Sequence, residues 1–501
     1  MRDRPGRVII LGGGTAGWMA AMLFHHHWSA EGSKVALIES RDIGIVGVGE
    51  GSTPQFKAFF DQMGIAEAEW MPRCNATYKV GIEFAGWSDK TGFERYFHPF
   101  PTALDGHTAP QFFHHARLRR LGRDVEAHAD PWFVPTLLAR QRKAPHPAAN
   151  FPFLTSYGYH FDAFLVGDYL REIACQRGVE RVEATVAEVE LDDKGDIAAL
   201  LAEDGRRFEA DFFVDASGFR ARLIEQALGA KHLDFGNNLF NDSAVVIPTQ
   251  VPREGPECAT RATALSAGWA WHIPLTNRSG NGYVYSSRYI SAEEAEAELR
   301  AHIDVGEEVP ARHLKMRVGR MEESWVRNCL AVGLAQGFIE PLEATALHIV
   351  LATVEGFFQA VEGEGMTDAA REAFNADIAA RYEGIRDYIV CHYRAAQRRD
   401  TDYWRDATSH DELSDSLKAI FTCWFTGGDL AEEVARQQIE GCYTAISWHC
   451  LLAGYGNFPD PARLVAPEPD TAVDMDSVRR FVEACASNYP SHNEALAALA
   501  A

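Results

Sequence analysis

The sequence predicts an α/β protein that opens with a dinucleotide-binding βαβ unit and closes in a mainly helical region. Three observations carry this. The apolar run 8–11 leads into Gly12-Gly13-Gly14-Thr15-Ala16-Gly17 and then a helix-compatible stretch, 18–28. A second apolar run, 35–38, ends in Glu39. Within 368–399, Phe374, Ile378, Tyr382, Ile385, Ile389 and Tyr393 recur at steps of three and four, one buried stripe of a long helix.

In the opening unit Gly12 permits a tight turn, Gly14 lets the backbone approach a pyrophosphate, and Gly17 allows close packing of helix on strand. The helix N-terminus behind Thr15 and Ala16 then stabilises phosphate charge. Glu39, 22 residues beyond Gly17, can accept hydrogen bonds from both ribose hydroxyls, and its charge argues against a ribose phosphate. FAD is preferred to NAD because the pattern starts almost at residue 1 and because 212–218, Phe-Phe-Val-Asp-Ala-Ser-Gly, reads as a second flavin element. An ordinary strand end is the alternative for that second segment.

Beyond it, 161–178 reads as a helix, 182–191 and 197–201 as strands, and 243–290 as several strand-like runs; the last 130 residues are mainly helical. Soft boundaries give a module at 1–350 with inserted sheet elements and a helical module at 351–501 that completes a substrate pocket. With 48 basic against 71 acidic residues, a net charge of −23 repels phosphate, and the basic clusters at 117–123 and 394–399 are short; nucleic-acid and membrane-surface binding are disfavoured and not expected. Nine singly spaced cysteines without a CxxC pair fit a reducing cytoplasm. The apolar stretch 8–24 behind Arg2, Arg4 and Arg7 imitates a signal peptide, but three glycines and His25-His26-His27 spoil it.

Four segments could carry chemistry. Residues 77–84 alternate as one strand, with Tyr78, Val80, Ile82 and Phe84 on one face and Lys79, Gly81 and Glu83 on the other. Lys79 then has an uncrowded neighbour in Gly81, and a surface lysine paired with Glu83 is the plain reading beside a catalytic one. Glu343, Thr345 and Ala346 precede the apolar helix 347–361, so free backbone N–H groups there can hold an anion, or the glutamates can complement the helix dipole. Trp269 and Trp271 fall on one face of an extended segment ending at Pro274, as an aromatic wall or as core. His25-His26-His27 and His114-His115 present adjacent imidazoles to different sides of a helix, a poor metal geometry, and no metal is expected. No GxSxG, HExxH or Walker sequence is present.

Together these segments resemble the flavin-dependent halogenases of the tryptophan halogenase type. The resemblance runs nearly end to end: the glycine loop, Val48-Gly49-Glu50-Gly51-Ser52-Thr53-Pro54, Lys79, Tyr96-Phe97-His98-Pro99-Phe100, Gly158-Tyr159-His160-Phe161-Asp162, Trp269-Ala270-Trp271-His272-Ile273-Pro274, Glu340-Pro341-Leu342-Glu343, His392-Tyr393 and Asp400-Thr401-Asp402-Tyr403-Trp404. It implies a GR2-type FAD-binding fold like that of p-hydroxybenzoate hydroxylase, FADH2 delivered by a separate flavin reductase, and dioxygen and a halide, chloride or bromide, giving hypohalous acid. Val48, Gly49 and Ser52 would belong to a strap over the flavin, with Val186, Leu334 and Ile349 as further cofactor contacts. Thr345 and Ala346 would hold the halide.

Hypohalous acid would travel to Lys79, which polarises it or forms a haloamine. Glu343 would face Lys79, stabilise the cationic ring and accept its proton. His98, Pro99, Phe100 and Tyr443 would form the substrate pocket, and Trp269 and Trp271 would keep substrate from the flavin. Tryptophan-specific members grip the amino-acid head group with a tyrosine pair and a glutamate, a pair that 427–448 lacks, so free indole or a simple indole is the expected substrate and tryptophan the second. Ala344-Thr345-Ala346 replaces a glycine-containing halide turn and leaves the choice of halide open. A flavin aromatic hydroxylase and a non-catalytic flavin-binding scaffold are the rival readings; a homodimer is compatible with all three.

Overall fold

In a computed structural model, residues 4–40, 50–460 and 472–499 are described. Val48 and Gly49 lie outside them. The chain divides into two units, each woven from three segments: 1–75, 161–235 and 317–382 in the first, and 76–160, 236–316 and 383–501 in the second. The soft boundary expected at 350/351 falls inside the helix Ala346–Glu364.

The first unit is built on a six-stranded sheet in the order Trp325–Val326, Cys329–Ala331, Phe212–Asp215, Arg7–Leu11, Lys34–Glu39, Glu180–Glu183. The inner pairings are parallel, with Val8 opposite Phe212 and Val35. Such strands are covered on both sides and read as continuous apolar runs, which is why 8–11 and 35–38 were legible. One side is filled by Ile9, Ile38, Phe213 and Leu223, among others. On the other, Phe24 packs edge-on against Trp28 and Phe358, and Phe212 stacks on Phe357. The run expected as strand at 182–191 is split, Glu180–Glu183 joining this sheet and Val186–Leu191 a separate antiparallel one, which also holds Ile197–Ala202 as expected. The helix expected at 161–178 is Ala163–Arg177: Phe161 ends a strand, and the Asp162 side chain caps the helix by accepting from the N–H groups of Phe164 and Leu165.

A seven-stranded sheet forms the second unit, in the order Arg312–Lys315, Ser243–Thr249, Ser279–Tyr285, Gly268–Pro274, Thr260–Leu265, Gly81–Ala85, Arg95–Pro99. The helix Ala292–Ile303 covers it, burying Ala295 and Leu299 against Val245, Ile247, Ala270 and Tyr283. The predicted stripe lies on the helix Asp368–Ala395, and all six of its residues are buried. No strand follows Phe338 among the described residues, so the C-terminal part is helical as expected. No described helix is long and apolar enough to cross a membrane, and the nine cysteines form no disulfide among the described residues.

The segment 77–84 is not one strand. Thr77–Lys79 pairs antiparallel with Gly158–Phe161, whereas Gly81–Ala85 joins the seven-stranded sheet. At the break the Val80 N–H donates to Cys258 O at 2.9 Å and its carbonyl accepts from the Phe100 N–H at 2.9 Å, so Val80 ties the chain to different neighbours on either side. Gly81 is crowded rather than open: a Cβ there would lie 2.3 Å from His98 O and 2.5 Å from the Phe97 ring.

Candidate active site

In the first unit the glycine loop leaves a cradle shaped for a diphosphate. Gly12 sits at φ +121°, a conformation that excludes a side chain, and a Cβ there would lie 2.2 Å from Ala216 O. A Cβ on Gly17 would lie 1.9 Å from Gly12 O. The helix Thr15–Trp28 starts at Gly14 with no side-chain cap and no acid in its first turn, so its leading N–H groups are left for an anion. The Thr15 hydroxyl donates to Ala163 O at 3.3 Å, and Gly333 brings the turn Gly333–Ala335, which contains Leu334, against Ala16.

Glu39 ends its strand as predicted, held by two partners that spacing alone did not reveal. Trp18 Nε1 donates to Oε2 at 3.3 Å and Arg181 Nε donates to Oε1 at 2.6 Å. Each carboxylate oxygen keeps a lone pair for a ribose hydroxyl. Asp215, in the proposed second flavin element, is committed to its own turn: it accepts from Ser217 N and Oγ at 3.0 and 2.6 Å and from Leu223 N and Ile224 N at 2.7 and 2.9 Å. Burial raises its carboxyl above the ordinary value against these bonds. Val186 is half-buried on the core side of its sheet, Ile349 is buried in the helix Ala346–Glu364, and Ser52 is buried just before the helix Pro54–Gln62.

That helix from Ala346 begins after a 3₁₀ turn, Pro341–Glu343, and after Ala344, whose left-handed φ of 57° turns the chain sharply. Thr345 is the N-cap residue but makes no capping bond, and the first turn holds no acid. Glu340 and Glu343 thus precede the first turn rather than lie in it, and the N–H groups behind Thr345 and Ala346 form an anion-compatible end. Glu343 is buried, 3 % exposed.

The second unit holds Lys79 and the aromatic residues. Lys79 is 0 % exposed, and its Nζ lies 5.3 Å from the centroid of the Phe100 ring, within cation–π reach. It is no surface lysine, and Glu83 is instead bound by Arg261 Nε at 2.9 Å. His98 and Pro99 end an edge strand with Phe100 just beyond it, all three buried, and His98 Nε2 lies 3.0 Å from Ser447 Oγ. Tyr443 is stacked on Tyr388 at 3.6 Å and 10°, with Trp448 edge-on to Tyr388. Tyr388, Ser447 and Trp448 were not found from the sequence, because a buried aromatic on a helix carries no local mark of a site.

Trp269 and Trp271 share a face as predicted, with ring centroids 6.2 Å apart. Trp271 lies flat over Gly282, its partner on the next strand, where a Cβ would meet the ring at 2.1 Å. Of the histidine groups, His115 is buried as a structural bridge between Glu126 O and Val473 N. His27 packs at a tilt on Phe358, with ring centroids 4.3 Å apart.

A sequence model described as tryptophan halogenase matches residues 7–470. The 7-chloro-L-tryptophan 6-halogenase KtzR of Kutzneria sp. (strain 744) is 34 % identical, the match covering 98 % of this chain and 99 % of that protein. The tryptophan 6-halogenase SttH of Streptomyces toxytricini is 34 % identical over 99 % of this chain and 98 % of its own. Its crystal structure matches with a TM-score of 0.84, covering 99 % and 100 % of the two chains. The tryptophan C-6 flavin-dependent halogenase Tar14, from taromycin biosynthesis, matches with a TM-score of 0.85 at 32 % identity, covering 99 % of this chain and 100 % of that one. The FAD-binding fold is thus shared over the whole length.

Proposed function

The chain belongs to the tryptophan halogenase family of flavin-dependent enzymes, and on that footing we propose that it uses FADH2, dioxygen and a halide to halogenate the indole ring of tryptophan. The observation that carries the reading is Lys79, an amine removed from solvent and set over the face of Phe100. Reduced FAD, when bound, supplies the electrons with which dioxygen and halide give hypohalous acid, water and oxidised flavin. Gly12, Gly14, Gly17 and the helix behind Thr15 and Ala16 would hold its diphosphate, and Glu39 its ribose. Thr345 and Ala346 would hold the halide.

Halogenation then exchanges one ring hydrogen for halogen. The carbon–halogen bond forms as the halogen–oxygen bond breaks, and the oxygen leaves as water. Lys79 polarises that bond with its ammonium, or its amine first takes the halogen from hypohalous acid with release of water and then passes it to the ring as the nitrogen–halogen bond breaks; a water-excluded site strengthens either role. Glu343 stabilises the cationic ring and takes the departing proton. His98, Phe100 and Tyr443 supply flat surfaces for the indole. A separate flavin reductase supplies FADH2, and nine cysteines without a disulfide among the described residues fit action in the cytoplasm.

SttH and Tar14 are named as tryptophan halogenases and KtzR as a 7-chloro-L-tryptophan 6-halogenase, which favours tryptophan over the free indole expected from the sequence. Free indole remains the second reading because the one tyrosine in 427–448, Tyr443, is engaged with Tyr388 rather than paired with another in that segment. A competition assay with reductase, FAD, NADH and bromide decides: tryptophan consumed first supports the proposal, and indole consumed first replaces it. A hydroxylated product lacking bromine would point to a monooxygenase instead. Lys79→Ala is expected to abolish halogenated product while hypohalous acid still forms; loss of flavin oxidation in that variant would overturn the division of labour.

A further inference from the structure

We propose that two buried histidines, His160 and His492, are positioning residues that fix the three-residue strand carrying Lys79. This rests on the role given to Lys79 above. Thr77, Tyr78 and Lys79 are too few to hold a strand rigidly by their own ladder, which consists of pairings with His160, Tyr159 and Gly158. The lysine is nonetheless expected to hold one position to within a fraction of an ångström.

On one face of the pair, Thr77 lies directly opposite His160, and Lys79 is the diagonal neighbour of His160 on that same face. The Thr77 hydroxyl is 2.7 Å from the carbonyl of Pro274, which can only accept, so its single proton points there. Its oxygen must then accept from Nδ1–H of His160, 3.0 Å away. That leaves His160 Nε2 bare, to accept from the Thr260 hydroxyl at 3.0 Å. A directed chain therefore runs Thr260, His160, Thr77, Pro274, and ties the lysine strand to the last residue of the strand that bears Trp269 and Trp271.

A second histidine holds Tyr78. The Tyr78 N–H donates to His492 Nε2 at 3.2 Å, and His492 Nδ1 lies 3.0 Å from Pro256 O. An amide N–H can only donate and a carbonyl can only accept, so His492 is also neutral with its proton on Nδ1. His492 begins the helix His492–Leu499 and is 1 % exposed. The strand that carries the reacting amine is thus pinned from the far end of the chain, 414 residues away. Burial holds both imidazoles below their ordinary titration range, in keeping with these bonds.

The test uses the full-length enzyme with reductase and NADH, reading halogenated product per NADH oxidised and hypohalous acid escaping to a dye. In His492→Asn the shorter amide can still donate to Pro256 O but cannot reach the Tyr78 N–H; in His492→Gln the amide oxygen can take the place of Nε2. We expect His492→Asn to lose roughly 10- to 100-fold in product per NADH, with escaped oxidant rising and KM nearly unchanged. His492→Gln should recover to within about threefold of the wild type on the same arithmetic. Thr77→Val against Thr77→Ser repeats the comparison for the His160 chain should a histidine variant fold poorly. Equal loss in both members of each pair, or wild-type coupling in His492→Asn and Thr77→Val, overturns the inference. Lys79→Ala, run alongside, keeps the two claims apart: product surviving in it removes the role of Lys79 itself, whereas product lost there but intact in His492→Asn and Thr77→Val removes only the positioning role.

Discussion

Gly13 faces Glu39, and adding one methyl group there should release the flavin. A Cβ on Gly13 would lie 1.8 Å from Glu39 Oε2 and 2.6 Å from Glu39 Cβ. Rotating the carboxylate away relieves the first contact only. The second involves an atom fixed to the strand Lys34–Glu39, so the loop or the strand must retreat by about 0.8 Å to reach an ordinary separation of about 3.4 Å. Either movement takes the carboxylate from Trp18 Nε1 and from the ribose position. Hydrogen bonds to a charged group are each worth about 1.5–3 kcal/mol, so losing the ribose contact should weaken FAD binding by about 10- to 150-fold. Titration of Gly13→Ala with FAD, followed by flavin fluorescence, measures this, with Gly363→Ala as control because a Cβ there meets nothing within 4 Å. Glu39→Ala should match Gly13→Ala. A Kd for Gly13→Ala within twofold of wild type, or a weakened Gly13→Ala beside an unaffected Glu39→Ala, would refute the reasoning.

Acid should destabilise the fold early. Burial lowers His449 to about 3, His492 to about 4 and His160 well below 6.5, while in the unfolded chain each binds a proton near 6.5. The unfolded state therefore holds more protons, so stability is full above pH 6.5 and falls as the pH drops toward about 4. His449 and His492 each cost about 2 kcal/mol between pH 6.5 and 5, with His160 acting in the same direction, partly offset by Asp105 and Glu50, whose carboxyls burial raises to about 6 and about 7 and which gain a proton on folding in that range. Urea midpoints at pH 7.5 and 5 check this, and a midpoint that stays level or rises refutes it. Gly282→Ala should force Trp271 off its neighbour strand, lowering stability by about 1–3 kcal/mol and reducing halogenation with FAD affinity unchanged; retained activity with native stability would show that the ring has room to adjust.

What the sequence disclosed and what it hid follow from how far apart the interacting residues lie. The glycine loop and Glu39 were legible because a strand, a turn and a helix fix their geometry within some 30 residues, and parallel strands buried on both sides announce themselves as unbroken apolar runs. The helical stripe was legible for the same reason, its period being local. Lys79 was marked by the resemblance, but its surroundings were not legible, since alternation assigns faces within a strand but cannot say which sheet the strand enters. The break at Val80 is made by Cys258 and Phe100, and nothing in 77–84 encodes either. Arg181 on Glu39 and His492 on Tyr78 are likewise meetings of distant segments, each a residue type that elsewhere is ordinary surface or core. The same physics explains why Lys79 demands outside support: a three-residue strand that leaves its sheet at once supplies little rigidity of its own. A buried amine expected to deliver halogen to one carbon therefore depends on neutral imidazoles drawn from remote parts of the chain, whose hydrogen bonds are directional where apolar packing is not.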